Sequence, residues 1–198
     1  MMEIELKGVV PDAAALRRRL GDAGATLALA GRLEDRRYDT ADRSLTARDH
    51  VLRIRTYRPR EGPASTTMDW KGPTSIAGGF KVRDELSAAL GDGDVLAQIL
   101  AHLGFSVIRE IDRDIEQYAL DGAAIRLEAY PRMDTLVEIE GQPATIERAI
   151  VATGLPRAGF TGERLPEFVA RYEARTSERS ALSDRELRGD YRYSVNDG

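Results

Sequence analysis

The chain contains no cysteine, only two histidines, and few aromatic residues, which make up 6% of its 198 residues. Without cysteine there are no disulfides, no thiolate metal sites and no cysteine nucleophiles. His50 and His102 do not stand with a serine and a carboxylate in any recognisable triad, so the sequence does not indicate a serine hydrolase. The lack of disulfides fits a reducing compartment, and we expect a cytoplasmic protein.

Long apolar runs and an excess of positive charge are also missing. No segment approaches the roughly 18–20 apolar residues of a membrane span, and the chain begins with a charged alternating pattern instead of a signal peptide. The net charge of -4 gives no general attraction for a nucleic acid duplex or an anionic membrane. With 42% hydrophobic and 31% charged residues, the composition is that of a soluble globular protein with one main domain.

Short segments with a period of two residues predict strands that have one apolar and one charged face. They are residues 2–7, 51–55, 80–85, 125–128 and 136–140. Asp121-Gly122 is a turn signal that predicts a β-hairpin. Apolar residues at helical spacing predict helices over residues 12–23, 94–103, 145–153 and 165–175. Residues 176–198 are polar and weakly periodic, and we expect a mobile tail or a peripheral helix there.

The charged positions of these strands are grouped by sign. The pairs are Glu3 with Glu5, Arg53 with Arg55, and Glu138 with Glu140. Same-sign side chains two residues apart lie within about 7 Å on one face and repel each other unless an ion or ligand sits between them. Paired carboxylates suit Mg²⁺ or Mn²⁺, and paired guanidiniums suit a phosphate chain. The pattern favours a metal and polyphosphate site, and a one-sided sheet with its charged face in water is the alternative.

Seven motifs carry a resemblance to a known family. In chain order they are Glu3-Ile4-Glu5-Leu6-Lys7, Tyr38-Asp39-Thr40, Leu52-Arg53-Ile54-Arg55, Trp70-Lys71-Gly72-Pro73, Lys81-Val82-Arg83-Asp84-Glu85, Ile125-Arg126-Leu127-Glu128 and Val137-Glu138-Ile139-Glu140. The first resembles the ExExK signature of the CYTH superfamily, the triphosphate tunnel metalloenzymes. Five residues of alternating strand can match by chance, but seven ordered matches over about residues 2–175 are specific.

The resemblance implies an α+β fold, an eight-stranded antiparallel β-barrel with flanking helices. The tunnel domain would span residues 1–175, and residues 176–198 would form the tail or peripheral helix. The implied phosphate-binding residues are Lys7, Arg53, Arg55, Lys71, Lys81, Arg83 and Arg113. The implied ligands of Mg²⁺ or Mn²⁺ are Glu3, Glu5, Glu128, Glu138 and Glu140. Glu5, Lys7 and Glu85 are the implied catalytic residues, with Glu85 as a metal ligand or a water-orienting group.

The chain departs from the family pattern at a few positions. The family has a Lys-x-Arg pair on the strand before the hairpin, but here Arg113 is followed by Ile115 at the second basic position. Arg109 or Arg126 is a candidate to replace the lost charge. The family also has Asp where Glu128 stands, which keeps the carboxylate, and Gly where Asp134 stands.

The resemblance leaves two reactions open, hydrolysis of a triphosphate and cyclisation of ATP. Class IV adenylate cyclases are similar in layout but carry a His-Phe pair before ExExK, where this sequence has only Met1 and Met2. We therefore expect a triphosphatase acting on inorganic triphosphate, thiamine triphosphate or a nucleotide. A non-catalytic module that binds polyphosphate or a nucleotide is a further alternative. The chain is also a candidate for a homodimer. Trp70 is a candidate for stacking on a base, or a structural tryptophan.

Overall fold

The computed structural model describes residues 2–193 and contains, within that range, ten β-strands and five α-helices. The strands are β1 (Met2–Val9), β2 (Thr26–Thr40), β3 (Val51–Pro59), β4 (Ser65–Lys71), β5 (Ser75–Ala77), β6 (Phe80–Leu90), β7 (Phe105–Leu120), β8 (Ala123–Ala129), β9 (Leu136–Glu140) and β10 (Phe160–Thr161). The helices are α1 (Ala13–Asp22), α2 (Gly93–His102), α3 (Pro143–Thr153), α4 (Leu165–Thr176) and α5 (Asp184–Leu187). Over residues 2–193 no helix is long and apolar enough to cross a membrane.

Eight of the strands form a closed antiparallel barrel. Their order is β1-β9-β8-β7-β2-β3-β4-β6, and β6 returns to β1, where Met2 lies opposite Asp84 and Glu5 opposite Lys81. The short strands β5 and β10 pair with β6 and β1 outside this ring. The predicted fold, an eight-stranded antiparallel barrel with flanking helices, is therefore confirmed.

Most apolar side chains of the barrel face outward and pack against helices, whereas most charged side chains of β1 and its neighbours face inward. On β1 the fully buried Leu6 belongs to the largest apolar cluster, together with Leu16 of α1 and Ile146 of α3. Because successive side chains of a strand point to opposite faces, Glu5 and Lys7 point into the barrel. The inward face of the barrel is thus available for a polar site, because the two larger apolar clusters lie outside it.

One end of the barrel is covered by α4 and the segment that follows it. Ile111 of β7 packs against Val169 of α4 and Leu182, and this small apolar cluster also includes Leu165. The remaining large helix, α2, packs Leu100 on the outer side of β2 and β3. The coverage by α4 matters for function because it places the start of that helix beside the barrel interior.

The turn and helix predictions agree closely with the structure. Asp121 and Gly122 both have positive φ, 47° and 82°, and they connect β7 to β8 as the type I′ hairpin signal predicts. Each predicted helix is present, with ends shifted by at most two residues. At α1 the shift has a simple cause, because Asp12 is the N-cap and accepts a hydrogen bond from the Ala15 amide.

The C-terminal segment is docked on the barrel as far as the structure describes it. Ala181 pairs with Arg132 in an antiparallel bridge, and the Asp112 amide donates to the Leu182 carbonyl. A single helical turn, α5, follows at Asp184–Leu187. The division into a tunnel domain and a tail at residues 176–198 stays a prediction, and residues 194–198 of that segment lie outside the described residues.

Candidate functional site

The interior of the barrel holds a cavity of about 180 Å³ that is lined almost entirely by charged side chains. The basic lining residues are Lys7, Arg37, Arg53, Arg55, Lys71, Lys81, Arg83, Arg113, Arg126 and Arg164. The acidic lining residues are Glu3, Glu5, Asp35, Asp49, Glu85, Glu128, Glu138 and Glu140. All thirteen residues predicted as site residues line this one cavity, although what each one binds stays a prediction.

Three of the predicted metal ligands come together. Glu3 and Glu5 lie on β1, Glu140 lies opposite Glu5 on β9, and one carboxylate oxygen from each falls within 4.8 Å of the others. Burial raises the pKa of Glu3, an effect that Lys71 opposes. Burial acts on the Glu5 carboxyl in the same way, but Lys7 and Lys81 outweigh it and lower its pKa. This set of carboxylate oxygens is the kind that Mg²⁺ and Mn²⁺ prefer, so the residues fit a hard divalent cation.

The other two predicted ligands, Glu128 and Glu138, are engaged elsewhere on the same wall. Glu128 accepts a 2.8 Å hydrogen bond from Arg113 Nε and another, also 2.8 Å, from the Tyr130 hydroxyl. Glu138 accepts hydrogen bonds from Lys7 and from Arg126 Nη1. Both carboxylates pair with cavity cations in this arrangement, where they would orient those cations, and neither belongs to the group of Glu3, Glu5 and Glu140.

The lysines of the cavity lie against the three grouped carboxylates. Lys71 Nζ is 2.7 Å from both oxygens of Glu3, and Lys81 Nζ donates to Glu5 at 2.6 Å. Burial, followed by Lys7, lowers the pKa of Lys81 to about 8. Glu85 lies near Lys71, at 3.2 Å, and near Arg53, at 3.4 Å, so it stands between the lysines and the arginines.

The opposite side of the cavity is an arginine wall, formed by Arg37, Arg53, Arg55 and Arg113 on β2, β3 and β7. The Asp35 carboxylate forms ion pairs with three of these four arginines. Its carboxylate is 2.7 Å from Arg55 Nε, 3.0 Å from Arg113 Nη1 and 3.6 Å from Arg53 Nη1. Burial raises the pKa of Asp35, but Arg55, Arg113 and Arg53 outweigh that effect and hold it well below its ordinary value. Asp35 therefore fixes the positions of the guanidiniums from inside the wall.

Sequence reasoning did not single out Asp35 or Arg37. Both lie in β2, within the run Glu34-Asp35-Arg36-Arg37, where charged residues occupy both faces of the strand. A period of two in hydrophobicity is absent from such a run, so the strand gives no alternating signal. The run directly precedes the motif Tyr38-Asp39-Thr40, and this position was the available signal that the run belongs to a strand of the barrel.

The structure distinguishes the two candidates for the lost basic residue beside Ile115. Ile115 itself is 4% exposed and is not among the cavity-lining residues. Arg109 is not a lining residue either, and its Nη1 donates to Glu186 at 2.9 Å. Arg126 does line the cavity, where it contacts Glu138 and Glu140. A basic group is thus present on the neighbouring strand β8.

The start of α4 supplies lining residues that the motifs did not predict. Arg164, Leu165 and Pro166 reach the cavity at one end, and Arg164 Nη1 is 3.4 Å from Asp49. Trp70, by contrast, lies edge-to-face against His50 with ring centroids 5.3 Å apart, and neither ring is part of the cavity lining. This placement gives no support to Trp70 as a base-stacking group.

Comparison with known proteins agrees with this geometry. The family model described as CYTH domain matches residues 1–148. No curated protein matches the sequence closely enough to count as a relative.

Solved structures give the fold. The PH1819 protein from Pyrococcus horikoshii OT3 superimposes with a TM-score of 0.71 at 24% identity, covering 85% of this chain and 98% of that chain. A protein from Vibrio parahaemolyticus, described as a proposed adenylate cyclase, gives a TM-score of 0.74 at 16% identity over 86% of this chain and 98% of that one. HpAC1 from Hippeastrum is a proposed adenylyl cyclase reported with a dominant triphosphatase activity. It superimposes with a TM-score of 0.61 at 13% identity, covering 87% of this chain and 95% of that chain.

Proposed function

Because this chain belongs to the CYTH family, we propose that it is a divalent-metal-dependent triphosphatase that hydrolyses inorganic or small organic triphosphates inside the barrel. The observation that carries the proposal is the placement of Glu3, Glu5 and Glu140 in the same cavity as the arginine wall. A carboxylate group suits a metal ion and a guanidinium wall suits phosphate oxygens, so one cavity can hold both halves of a metal–triphosphate complex.

The charge balance of the lining supports this substrate class. The cavity has ten basic and eight acidic lining residues, so it carries a small positive excess. A divalent cation would add two positive charges, and a triphosphate brings roughly four to five negative ones. Metal and triphosphate together would therefore nearly neutralise a wall of buried charges that are costly to leave uncompensated.

A metal ion held by Glu3, Glu5 and Glu140 would neutralise the charge that develops on phosphoryl oxygens during the reaction. Lys71 and Lys81 already face these carboxylates and lie close enough to bridge from them to phosphate oxygens. Arg53, Arg55 and Arg113, fixed by Asp35, would hold the phosphate chain from the opposite side. Glu85 stands between the two groups of cations, and of its two candidate roles, metal ligand and water-orienting group, we propose the second.

Cyclisation of ATP is the second candidate, favoured by the proposed cyclase activity of two structural neighbours. It requires a pocket that holds a base and a ribose, whereas only Val51, Ile111, Tyr130, Leu165 and Pro166 are uncharged among the lining residues. The one aromatic group, Tyr130, donates its hydroxyl to Glu128. The cavity volume of about 180 Å³ is also below the roughly 300–1,000 Å³ of pockets that enclose drug-sized ligands. These features favour hydrolysis of a small triphosphate.

Product analysis separates the candidates. The protein is incubated with inorganic triphosphate, thiamine triphosphate or ATP, each with Mg²⁺, with Mn²⁺ or with a chelator. We expect metal-dependent release of phosphate, and formation of cyclic AMP with pyrophosphate from ATP would overturn the preference for hydrolysis. Tight binding without turnover under either metal would identify a binding module instead. A purely structural barrel would show no ligand-induced stabilisation, whereas a ligand at 100 times its Kd adds about 2.7 kcal/mol.

A further inference from the structure

Arg37 differs from the other cations of the cavity in its surroundings. It lies on β2 with Arg53 opposite it on β3 and Arg109 opposite it on β7, so its cross-strand neighbours on both sides are arginines. Its side chain lines the cavity. Burial, followed by the charge of Arg53, lowers the pKa of Arg37 to about 9. The strand positions therefore place a guanidinium among like charges.

The carboxylates near the arginine wall are used by other residues. Asp35 forms its ion pairs with Arg53, Arg55 and Arg113, and Asp69 accepts a 2.8 Å hydrogen bond from Arg53 Nε. Asp35 acts on Arg37 only as a nearby negative charge that raises its pKa. Among residues 2–193, no carboxylate forms a direct ion pair with Arg37, and its shielded Nε has no hydrogen-bond partner. Other cavity cations have such partners, as Lys71 has Glu3 and Arg126 has Glu138.

A shielded cation without a partner destabilises a fold, because it loses water and gains no compensating contact. Its presence in a cavity is explained when a ligand supplies the missing partner, since functional sites often hold groups that are unfavourable in the free protein. The missing partner must be an anion that can reach the interior of the barrel. Phosphate oxygens fit, because a guanidinium grips them bidentately and with charge assistance.

We propose that Arg37 is a further substrate-binding residue, one outside the family-like motifs, which takes phosphate oxygens of the triphosphate on the arginine wall. The inference rests on the proposed function, since it assumes that a triphosphate enters this cavity. It assigns different roles within the wall. Arg53, Arg55 and Arg113 are held by Asp35 before the substrate arrives, whereas Arg37 has its donors free for the phosphate chain.

The test compares Arg37→Met with wild type, with Arg37→Lys as the conservative variant. Arg58→Met is the matched control, because Arg58 is an arginine of the neighbouring strand β3 whose side chain is 57% exposed and pairs with Glu34 outside the cavity. Two quantities are measured for each protein. One is the Kd for inorganic triphosphate in the presence of Mg²⁺, by titration calorimetry, and the other is the melting temperature without ligand.

We expect Arg37→Met to raise the Kd by about tenfold or more, the loss typical of a hydrogen bond to a charged group. We also expect its melting temperature without ligand to equal or exceed that of wild type, because a partly buried charge that lies among arginines and forms no direct ion pair has been removed. Arg37→Lys restores part of the affinity, and Arg58→Met binds as wild type does. The opposite signs of the two effects separate a binding role from a structural one.

An Arg37→Met protein that binds triphosphate as tightly as wild type overturns the inference but leaves the proposed function standing. An Arg37→Met protein that melts lower or fails to fold also overturns it, since Arg37 would then stabilise the barrel. Wild-type protein that does not bind triphosphate with either metal overturns the proposed function and the inference together. The wild-type titration therefore tells the two failures apart.

Discussion

Lys81 donates a 2.6 Å hydrogen bond to Glu5 across the pairing of β6 with β1, the pairing that closes the barrel. The same Glu5 carboxylate belongs to the group with Glu3 and Glu140 that fits a divalent cation. The Glu5 carboxylate thus contacts one cation in the structure, the Lys81 ammonium, and would contact a second, the metal ion, in the proposed function. The closure of the barrel creates the site, because strands far apart in sequence bring these side chains together.

Glu5→Gln is expected to lower metal-dependent phosphate release about 100-fold while leaving the barrel folded. The amide keeps an oxygen that can accept the hydrogen bond from Lys81, but it lacks the charge that attracts a divalent cation. Steady-state assays over a range of Mg²⁺ concentrations check this, with melting curves to confirm folding. Glu61→Gln, in an exposed loop, is the control and should behave as wild type does. Unchanged activity in Glu5→Gln would count against the assigned metal site.

Asp35→Asn is expected to destabilise the protein by about 3–5 kcal/mol at pH 7, because the buried Arg53 and Arg113 and the partly buried Arg55 lose their shared carboxylate. Since the pKa of Asp35 is depressed in the folded state, its stabilisation is present above the unfolded pKa of about 3.9 and is lost as the pH falls through the folded value. Denaturant unfolding at pH 7 and pH 3 should show the difference from wild type narrowing in acid. Asp114→Asn, whose side chain is 74% exposed, should change stability by at most about 0.5 kcal/mol.

Arg126→Met is expected to lower kcat/KM for inorganic triphosphate about tenfold or more, because Arg126 is the lining cation on the strand that neighbours Arg113 and Ile115. Ile115→Val is the comparison, since Ile115 is packed at 4% exposure and does not line the cavity. That variant should leave KM within about twofold and cost about 1 kcal/mol of stability. A larger effect on KM from Ile115→Val than from Arg126→Met would reverse this assignment.

Glu186→Ala is expected to destabilise the protein by about 2 kcal/mol and to expose the C-terminal segment to proteolysis. The Glu186 carboxylate accepts from Arg109 Nη1 at 2.9 Å and from the Leu182 amide at 2.7 Å, so it connects β7 to the segment that contains α5. Chemical unfolding and limited proteolysis measure the two effects. Glu147→Ala removes an exposed ion pair with Arg157 and should cost less than about 1 kcal/mol. Equal resistance of the Glu186→Ala and Glu147→Ala proteins to protease would contradict the connecting role.

The local elements were predictable because their signals lie in neighbouring residues. Alternation marked β1, β3, β6, β8 and β9, the Asp121-Gly122 turn marked the hairpin, and apolar spacing marked the helices. The long strands β2 and β7 gave no such signal. Their charged and apolar residues mix on both faces, since Ile111 faces the interior while Asp35 and Arg37 lie there as well. Side chains of these strands contact α4, the C-terminal segment and each other, which local periodicity does not encode.

The sequence by itself determined the like-charge pairs, their order along the chain and hence the candidate residues, because two-residue periodicity fixes which side chains share a strand face. Only the tertiary structure decided which of them meet. Closure of the barrel brings Glu3, Glu5 and Glu140 together but directs Glu128 to Arg113 and Glu138 to Lys7 and Arg126. Closure of the barrel also places the Asp35 carboxylate in ion pairs with three arginines, whereas Arg37 forms no direct ion pair among the described residues. Such partners depend on distances across the barrel, and these are set by strand register and closure rather than by position in the sequence.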